Sequence, residues 1–213
     1  MKISAQHISK RYGQEWILKD FSYEFQSPES YALLGPNGSG KSTLLQILSG
    51  FLSPGSGSAL SFYRHDKLIE DAERHQVVAL AAPYLELIEE LTLLEFLNYH
   101  FTFKNSILPI KDMLQVVGLE AHANKYIRQF SSGMKQRVKL MQCIFSDTPV
   151  VLLDEPCTNL DQDGVQLYQR MIQEYTTNRL VIVASNDPQE YGFCKLQLRM
   201  QHLNDVPKNI LSK

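Results

Sequence analysis

Long hydrophobic runs are missing from this chain of 213 residues: nothing approaches the roughly 18 consecutive apolar residues needed to span a bilayer. Work at a membrane would therefore require a second, spanning chain. The opening MKISAQHISKRYG lacks the apolar core of a signal peptide, and the closing NILSK matches no address or lipidation signal. Cysteine is scarce. Cys143, Cys157 and Cys194 are far apart, odd in number and without a C-x-x-C pair, which argues against a disulfide framework or a zinc site and predicts a reducing compartment. Net charge is nearly absent as well, at -2 from 21 basic and 23 acidic residues. Without a basic stripe to neutralise phosphates, direct nucleic-acid binding is not expected. Repeats and low-complexity tracts are absent, and 44% hydrophobic with 21% charged residues is ordinary globular composition. The length suits one domain spanning 1–213.

What is present is a change of pattern along the chain. Roughly the first 30 residues alternate apolar and polar positions, as antiparallel strands covered on one face do. From Tyr31 the runs become continuously apolar and alternate with helical periodicity: YALLG, VVALAAP, VVLLDEP and LVIVASN read as strands buried on both faces. Between the second and third, LTLLEFLNYHF, IKDMLQVVGL and SGMKQRVKLMQCIF carry helical apolar stripes. The expected fold is α/β: a parallel-sheet core, an N-terminal antiparallel β subdomain (about 1–30 plus 57–63) and an inserted helical subdomain (84–146).

The stretch GPNGSGKST, comprising Gly35, Pro36, Asn37, Gly38, Ser39, Gly40, Lys41, Ser42 and Thr43, fits G-x-x-x-x-G-K-[ST] and lies between a buried strand and a helix. The glycines free the backbone so that successive N–H groups converge on phosphate oxygens at the positive end of a helix dipole. Lys41 supplies a point charge to the phosphates, and the Ser42 hydroxyl is a Mg²⁺ ligand. In VVLLDEP, Asp154 and Glu155 stand at the carboxyl end of a strand, the sheet edge where such a loop lies. Asp154 is expected to reach the metal, and Glu155 to polarise a water for attack on the γ-phosphate.

With these motifs in order, the chain resembles the nucleotide-binding domain of an ABC ATPase, a P-loop NTPase, over nearly its whole length. GPNGSGKST resembles the Walker A, VVLLDEP the Walker B with its catalytic glutamate, and NLD (159–161) the D-loop. FSSGMKQR resembles the signature motif, with Ser131, Ser132 and Gly133 in its phosphate-contacting positions and Met134 where glutamine is common. Read alone, Ser131 is a helix N-cap. The resemblance implies that this terminus contacts ATP held by another subunit, in a head-to-tail dimer, homomeric or heteromeric, with two ATP molecules between the subunits. Tyr12 matches the aromatic that stacks on adenine; as a lone tyrosine it is more often a packing residue.

Two positions depart from the family. The loop after VVALA normally carries a glutamine near the metal; here Ala82 or Pro83 stands there, Gln76 lies too early, and neighbours such as Tyr84 are left to transmit movement. After LVIVAS the family has a histidine at the γ-phosphate, and here Asn186 replaces it. An amide donates one hydrogen bond but carries no proton or charge, so hydrolysis is expected to be slow, unless Asn186 merely caps the turn with Asp187 and Pro188. The function implied is an ATP-hydrolysing subunit on the cytoplasmic side of a membrane, powering a separate polytopic protein; the GMKQR ending resembles exporter subunits. The alternative is a soluble ABC-type switch. The partner-facing surface is expected around residues 83–105; exposed aromatics such as Tyr84, Phe96 or Phe101 would mark it, although a helical aromatic stripe is more often core.

Overall fold

The computed structural model describes residues 1–200, so the NILSK ending falls outside the described residues. Strands β1 (Lys2–Tyr12) and β2 (Glu15–Gln26) form a hairpin, and β3 (Ser30–Leu34) runs through a loop into α1 (Lys41–Leu48). β4 (Ala59–Arg64), β5 (Lys67–Ile69) and the short α2 (Arg74–Val77) lead to β6 (Val78–Ala81). Helices α3 (Leu93–Phe103), α4 (Ile110–Val117) and α5 (Ser132–Ile144) follow. The chain then alternates β7 (Val150–Asp154), α6 (Gln162–Tyr175), β8 (Leu180–Ala184), α7 (Pro188–Tyr191) and β9 (Leu196–Arg199).

The strands form two sheets. One is antiparallel, ordered β2-β1-β4-β5, and the other is parallel, ordered β6-β7-β8-β3-β9. Every residue of β7 and β8 is buried, as the apolar runs require of strands covered on both faces. Alternate side chains serve opposite cores. Val151, Leu153, Val181 and Val183 pack with the apolar faces of α3 to α6, while Val150, Leu152, Ile182 and Leu33 pack with α1 and the antiparallel sheet. This is the mixed α/β architecture of a P-loop NTPase, with its sheet edge left to carry the polar turns.

Local chemistry sets the helix ends. Thr92 and Glu95 form a reciprocal capping box at the start of α3, Gly118 ends α4 in the left-handed region at φ 69, and the Asp161 carboxylate caps α6. Of the two readings of the aromatics in the helical lobe, Phe96 and Phe101 follow the core one. Phe96 is 5% exposed and Phe101 packs against the core, because both fall on the apolar face of α3. Of the three, Tyr84 alone is exposed, and Tyr99 and Phe103 are the outward aromatics of that helix.

His100 on α3 gives the fold an acid sensitivity. Its ring stacks on Phe96 and meets Phe101 edge-on, and its Nε2 lies 3.3 Å from Ser146 Oγ. Burial, then the Lys104 charge, pushes its pKa down to about 4. The unfolded chain takes up this proton nearer 6.5, so the contribution to stability present above that value is lost as pH falls towards about 4. Urea unfolding should show the wild type losing more stability than His100→Phe between pH about 7.5 and about 5. Equal losses would remove His100 as the cause.

Candidate functional site

The parallel sheet brings three turns to one edge. β8 lies between β3 and β7, and Ala184 is in register with both Leu33 and Asp154. The chain therefore leaves the sheet at Gly35, Glu155 and Ser185 on the same level. Two backbone bonds tie the exits together: Glu155 N–H donates to Ala184 O at 3.0 Å, and Ser185 N–H donates to Leu33 O at 3.3 Å.

The loop after β3 has the backbone its glycines allow. Gly38 and Gly40 sit at φ 82 and 91, and a Cβ on Gly40 would come within 2.8 Å of Ile17 O, so the β1–β2 hairpin is seated directly on the loop. Within α1 the Leu44 N–H reaches Gly40 O at 2.8 Å, and helix geometry leaves the N–H groups of Lys41, Ser42 and Thr43 without intrahelical acceptors. Lys41 is 7% exposed and donates to the carbonyls of Gly35 (2.6 Å) and Pro36 (3.2 Å), which holds its ammonium over the loop. The Ser39 hydroxyl is buried with no hydrogen-bond partner. Free donors around a buried cation fit a bound polyphosphate.

Asp154, at the end of β7, is 2% exposed, and its Oδ1 has no hydrogen-bond partner. Burial raises its pKa to about 6; the Ser42 hydroxyl and Lys41 pull it down, and Glu155 pushes it further up. An orphaned buried carboxylate oxygen beside a serine hydroxyl fits a Mg²⁺ ion that takes its remaining ligands from phosphate and water. Among the described residues no cluster of three or more His, Cys, Asp or Glu forms an all-protein cage. Glu155 follows, exposed and at φ 43.

Asn186 joins the loop. Its Oδ1 accepts the Gly35 N–H at 3.1 Å, leaving its amide N–H groups available on the same side. Capping of the following turn belongs to its neighbours: Asp187 accepts from Gln189 N–H and Ser185 from Asp187 N–H, each at 2.9 Å. Asn37, Glu155, Asp161 and Asn186 line one cleft of about 460 Å³. Ser131, Ser132 and Gly133 lie elsewhere. Ser131 caps α5 by accepting the Met134 N–H at 3.2 Å, and a Cβ on Gly133 would lie 3.1 Å from Asn159 O. Tyr12 is 54% exposed at the tip of the β1–β2 hairpin.

In the loop after β6, Ala82 is buried, Pro83 is exposed and its carbonyl accepts from Lys139 Nζ at 2.7 Å, and Gln76 is exposed on α2. Tyr84 follows Pro83 in this loop. Burial and the Asp154 charge raise its phenol, while a hydrogen bond with the Gln46 side chain opposes the rise. Two side chains that the sequence does not single out, Gln136 and Glu190, are 3% and 5% exposed near the turn after Glu155. For Gln136 the available signal was a polar residue at a position of α5 that the apolar stripe assigns to the core; Glu190, on the one-turn α7, left none.

Comparison with known proteins agrees with this geometry. The family model described as "ABC transporter" matches residues 18–158. An uncharacterized ABC transporter ATP-binding protein of Bacillus subtilis strain 168, YybJ, is 30% identical over 94% of this chain and 93% of its own length. The spermidine/putrescine import ATP-binding protein PotA of Spiroplasma citri is 34% identical over 81% of this chain, which spans 49% of PotA. Among solved structures, an ATP-binding subunit of an ABC transporter superposes with TM-score 0.82 at 22% identity, covering 94% of this chain and 86% of that one. A dimeric bacterial ABC transporter cassette gives 0.79 at 22% identity, with 94% of each chain covered. In sequence and in fold, the chain belongs to the ABC transporter family, as an ABC ATPase nucleotide-binding domain.

Proposed function

We propose that this chain is the ATP-binding and hydrolysing subunit of a transporter, docked on the cytoplasmic face of a separate polytopic membrane protein. The observation that carries it is the meeting, at one sheet edge, of the phosphate loop, the orphaned Asp154 Oδ1 and Glu155. Gly35 to Thr43 bind the phosphates through backbone N–H groups, with Lys41 as the fixed positive charge. Ser42 and Asp154 hold Mg²⁺, which supplies charge neutralisation on the phosphate oxygens. Glu155 accepts the proton of the attacking water, and the Asn186 amide orients the γ-phosphate. Tyr12 stacks on adenine. Ser131, Ser132 and Gly133 serve the nucleotide of a second subunit in a head-to-tail dimer, which explains why they cap a separate helix. The exposed aromatics Phe51, Tyr84, Tyr99 and Phe103 form the face offered to the membrane partner. Against the exporter-like GMKQR ending stands a relative named for import, so the role proposed is power supply and carries no direction.

Asn186 sets the rate. Its side-chain oxygen is occupied by Gly35 N–H, so it offers only neutral donors to the phosphate and has no titration in the physiological range. Asn186→His should raise kcat for MgATP about tenfold and add an inflection near pH 6.5 that the wild type lacks. Steady-state ATPase profiles of the two proteins decide it: equal rates and equal profiles would remove Asn186 from the hydrolytic step. Co-purification of the tagged chain with a multi-span membrane protein tests the transporter role.

A further inference from the structure

The Pro156 carbonyl and the Cys157 N–H belong to one peptide group, one residue after Glu155, and buried side chains hold it from both ends. Gln136 Nε2, on α5, donates to Pro156 O at 2.7 Å, and the Cys157 N–H donates to Glu190 Oε1, on α7, at 2.7 Å. Both side chains are more than nine-tenths buried. Glu190 is itself fixed, since the hydroxyl of the wholly buried Tyr168, on α6, donates to its backbone carbonyl at 2.7 Å. Keeping a carboxyl here is costly. Burial, with Asp187 and Glu155, raises its pKa, and hydrogen bonds from Ser185 and the Cys157 N–H oppose the rise. A buried acid that stabilised nothing would be replaced by an apolar residue at little loss.

The geometry points to a clamp: Gln136 and Glu190 are positioning residues that fix the orientation of the Pro156–Cys157 peptide and, through it, the carboxylate of Glu155. Glu155 sits at φ 43, a conformation a free turn would leave, and rotating the Pro156–Cys157 peptide would break both buried bonds together. The clamp also joins three elements of the site. α5 begins at Ser131–Gly133, α7 follows Asn186, and the clamped peptide opens the turn to Asp161. A shift of α5 therefore reaches Glu155 through one hydrogen bond, without a nucleotide as intermediary. This inference rests on Glu155 being the group that polarises water.

The test uses the full chain with Glu190→Met, Gln136→Met and Glu190→Gln. Both methionine variants keep side-chain length and lose the hydrogen bond, whereas the glutamine amide oxygen still accepts from Cys157 N–H. The methionine variants should lose about 100-fold in kcat with KM unchanged, as for a misplaced reacting group, while Glu190→Gln stays within about threefold of the wild type. Combining the two methionine changes should cost less than the sum of the single effects, since either one frees the same peptide. A second readout needs no ATP. The Cys157 thiol is half-buried and Cys143 and Cys194 are buried, so modification by a maleimide in nucleotide-free protein should accelerate in the methionine variants only. Wild-type kcat in both methionine variants, loss of activity in Glu190→Gln equal to that in Glu190→Met, or unaltered thiol rates would each overturn the clamp. If the wild type binds ATP without hydrolysing it, the functional reading fails while the thiol rates still decide the clamp. Should one methionine variant not fold, the other, with Glu190→Gln, decides between the same outcomes.

Discussion

Glu155→Gln should lower ATP hydrolysis by about 1000-fold and leave nucleotide binding in place. The substitution keeps the shape of the side chain at an exposed position, so folding is untouched. It removes the carboxylate proposed to accept the proton: Asp154 is buried beside the Ser42 hydroxyl and is proposed to hold the metal, and Asn186 is never basic. The proposed binding determinants are elsewhere, in the loop N–H groups, Lys41 and the Ser42–Asp154 pair. Affinity should rise modestly, because Glu155 places a negative charge close enough to Asp154 to raise its pKa, and that charge also repels a polyphosphate. Single-turnover hydrolysis and binding of a fluorescent ATP analogue separate the two effects. In the presence of ATP the variant should run as a larger species on size exclusion, since the closed dimer is no longer released by hydrolysis. Wild-type turnover in this variant would move the proton acceptor to another group.

Legibility in the sequence followed the range over which each feature is determined. The phosphate loop and the strands β7 and β8 were readable because their signals are local: glycines at fixed offsets, and continuous apolar runs that only a strand covered on both faces accommodates. The destination of Asn186 was not. Its bond to Gly35 N–H exists because β8 inserts between β3 and β7, an ordering that the chain order of the strands does not reveal. The sequence left two choices, a phosphate contact or a turn cap, and the turn proved to be capped by Ser185 and Asp187. For Phe96 and Phe101 the sequence left two readings, partner-facing or core, since periodicity gives a face and not its partner. Gln136 and Glu190 are 54 residues apart in the chain and meet only at a peptide neither is near in sequence. Long-range pairing of that kind leaves no periodic trace.

Arg179→Ala should destabilise the folded chain by about 3 kcal/mol without altering hydrolysis per folded molecule. The guanidinium stands just before β8 and closes the end of the sheet opposite the nucleotide edge. Its Nε donates to Thr148 O and its Nη1 to Ile144 O, each at 2.6 Å; Nη2 reaches Ser146 O at 2.8 Å and Thr148 Oγ1 at 2.9 Å. These acceptors lie in the last turn of α5, where helix geometry leaves the Ile144 carbonyl unsatisfied, and in the turn that feeds β7, where Ser146 O also accepts the Thr148 N–H at 2.8 Å. Burial lowers the pKa of the guanidinium, yet it stays charged at any working pH, so the bonds are charge-assisted. Alanine takes the donor from the Ile144 and Thr148 carbonyls at once. Lysine keeps the charge but not the planar fork, and should recover only part of the loss. Urea unfolding at constant slope would show the order wild type, Arg179→Lys, Arg179→Ala in midpoint. Coincident midpoints would mean that water satisfies these carbonyls as well as the arginine does. Hydrolysis should be spared because the groups proposed to act on nucleotide stand at the other ends of β7 and α5, Asp154 and Glu155 on one and Ser131 to Gly133 on the other. A loss confined to this hub lowers the number of folded molecules and leaves the geometry of each site as it was.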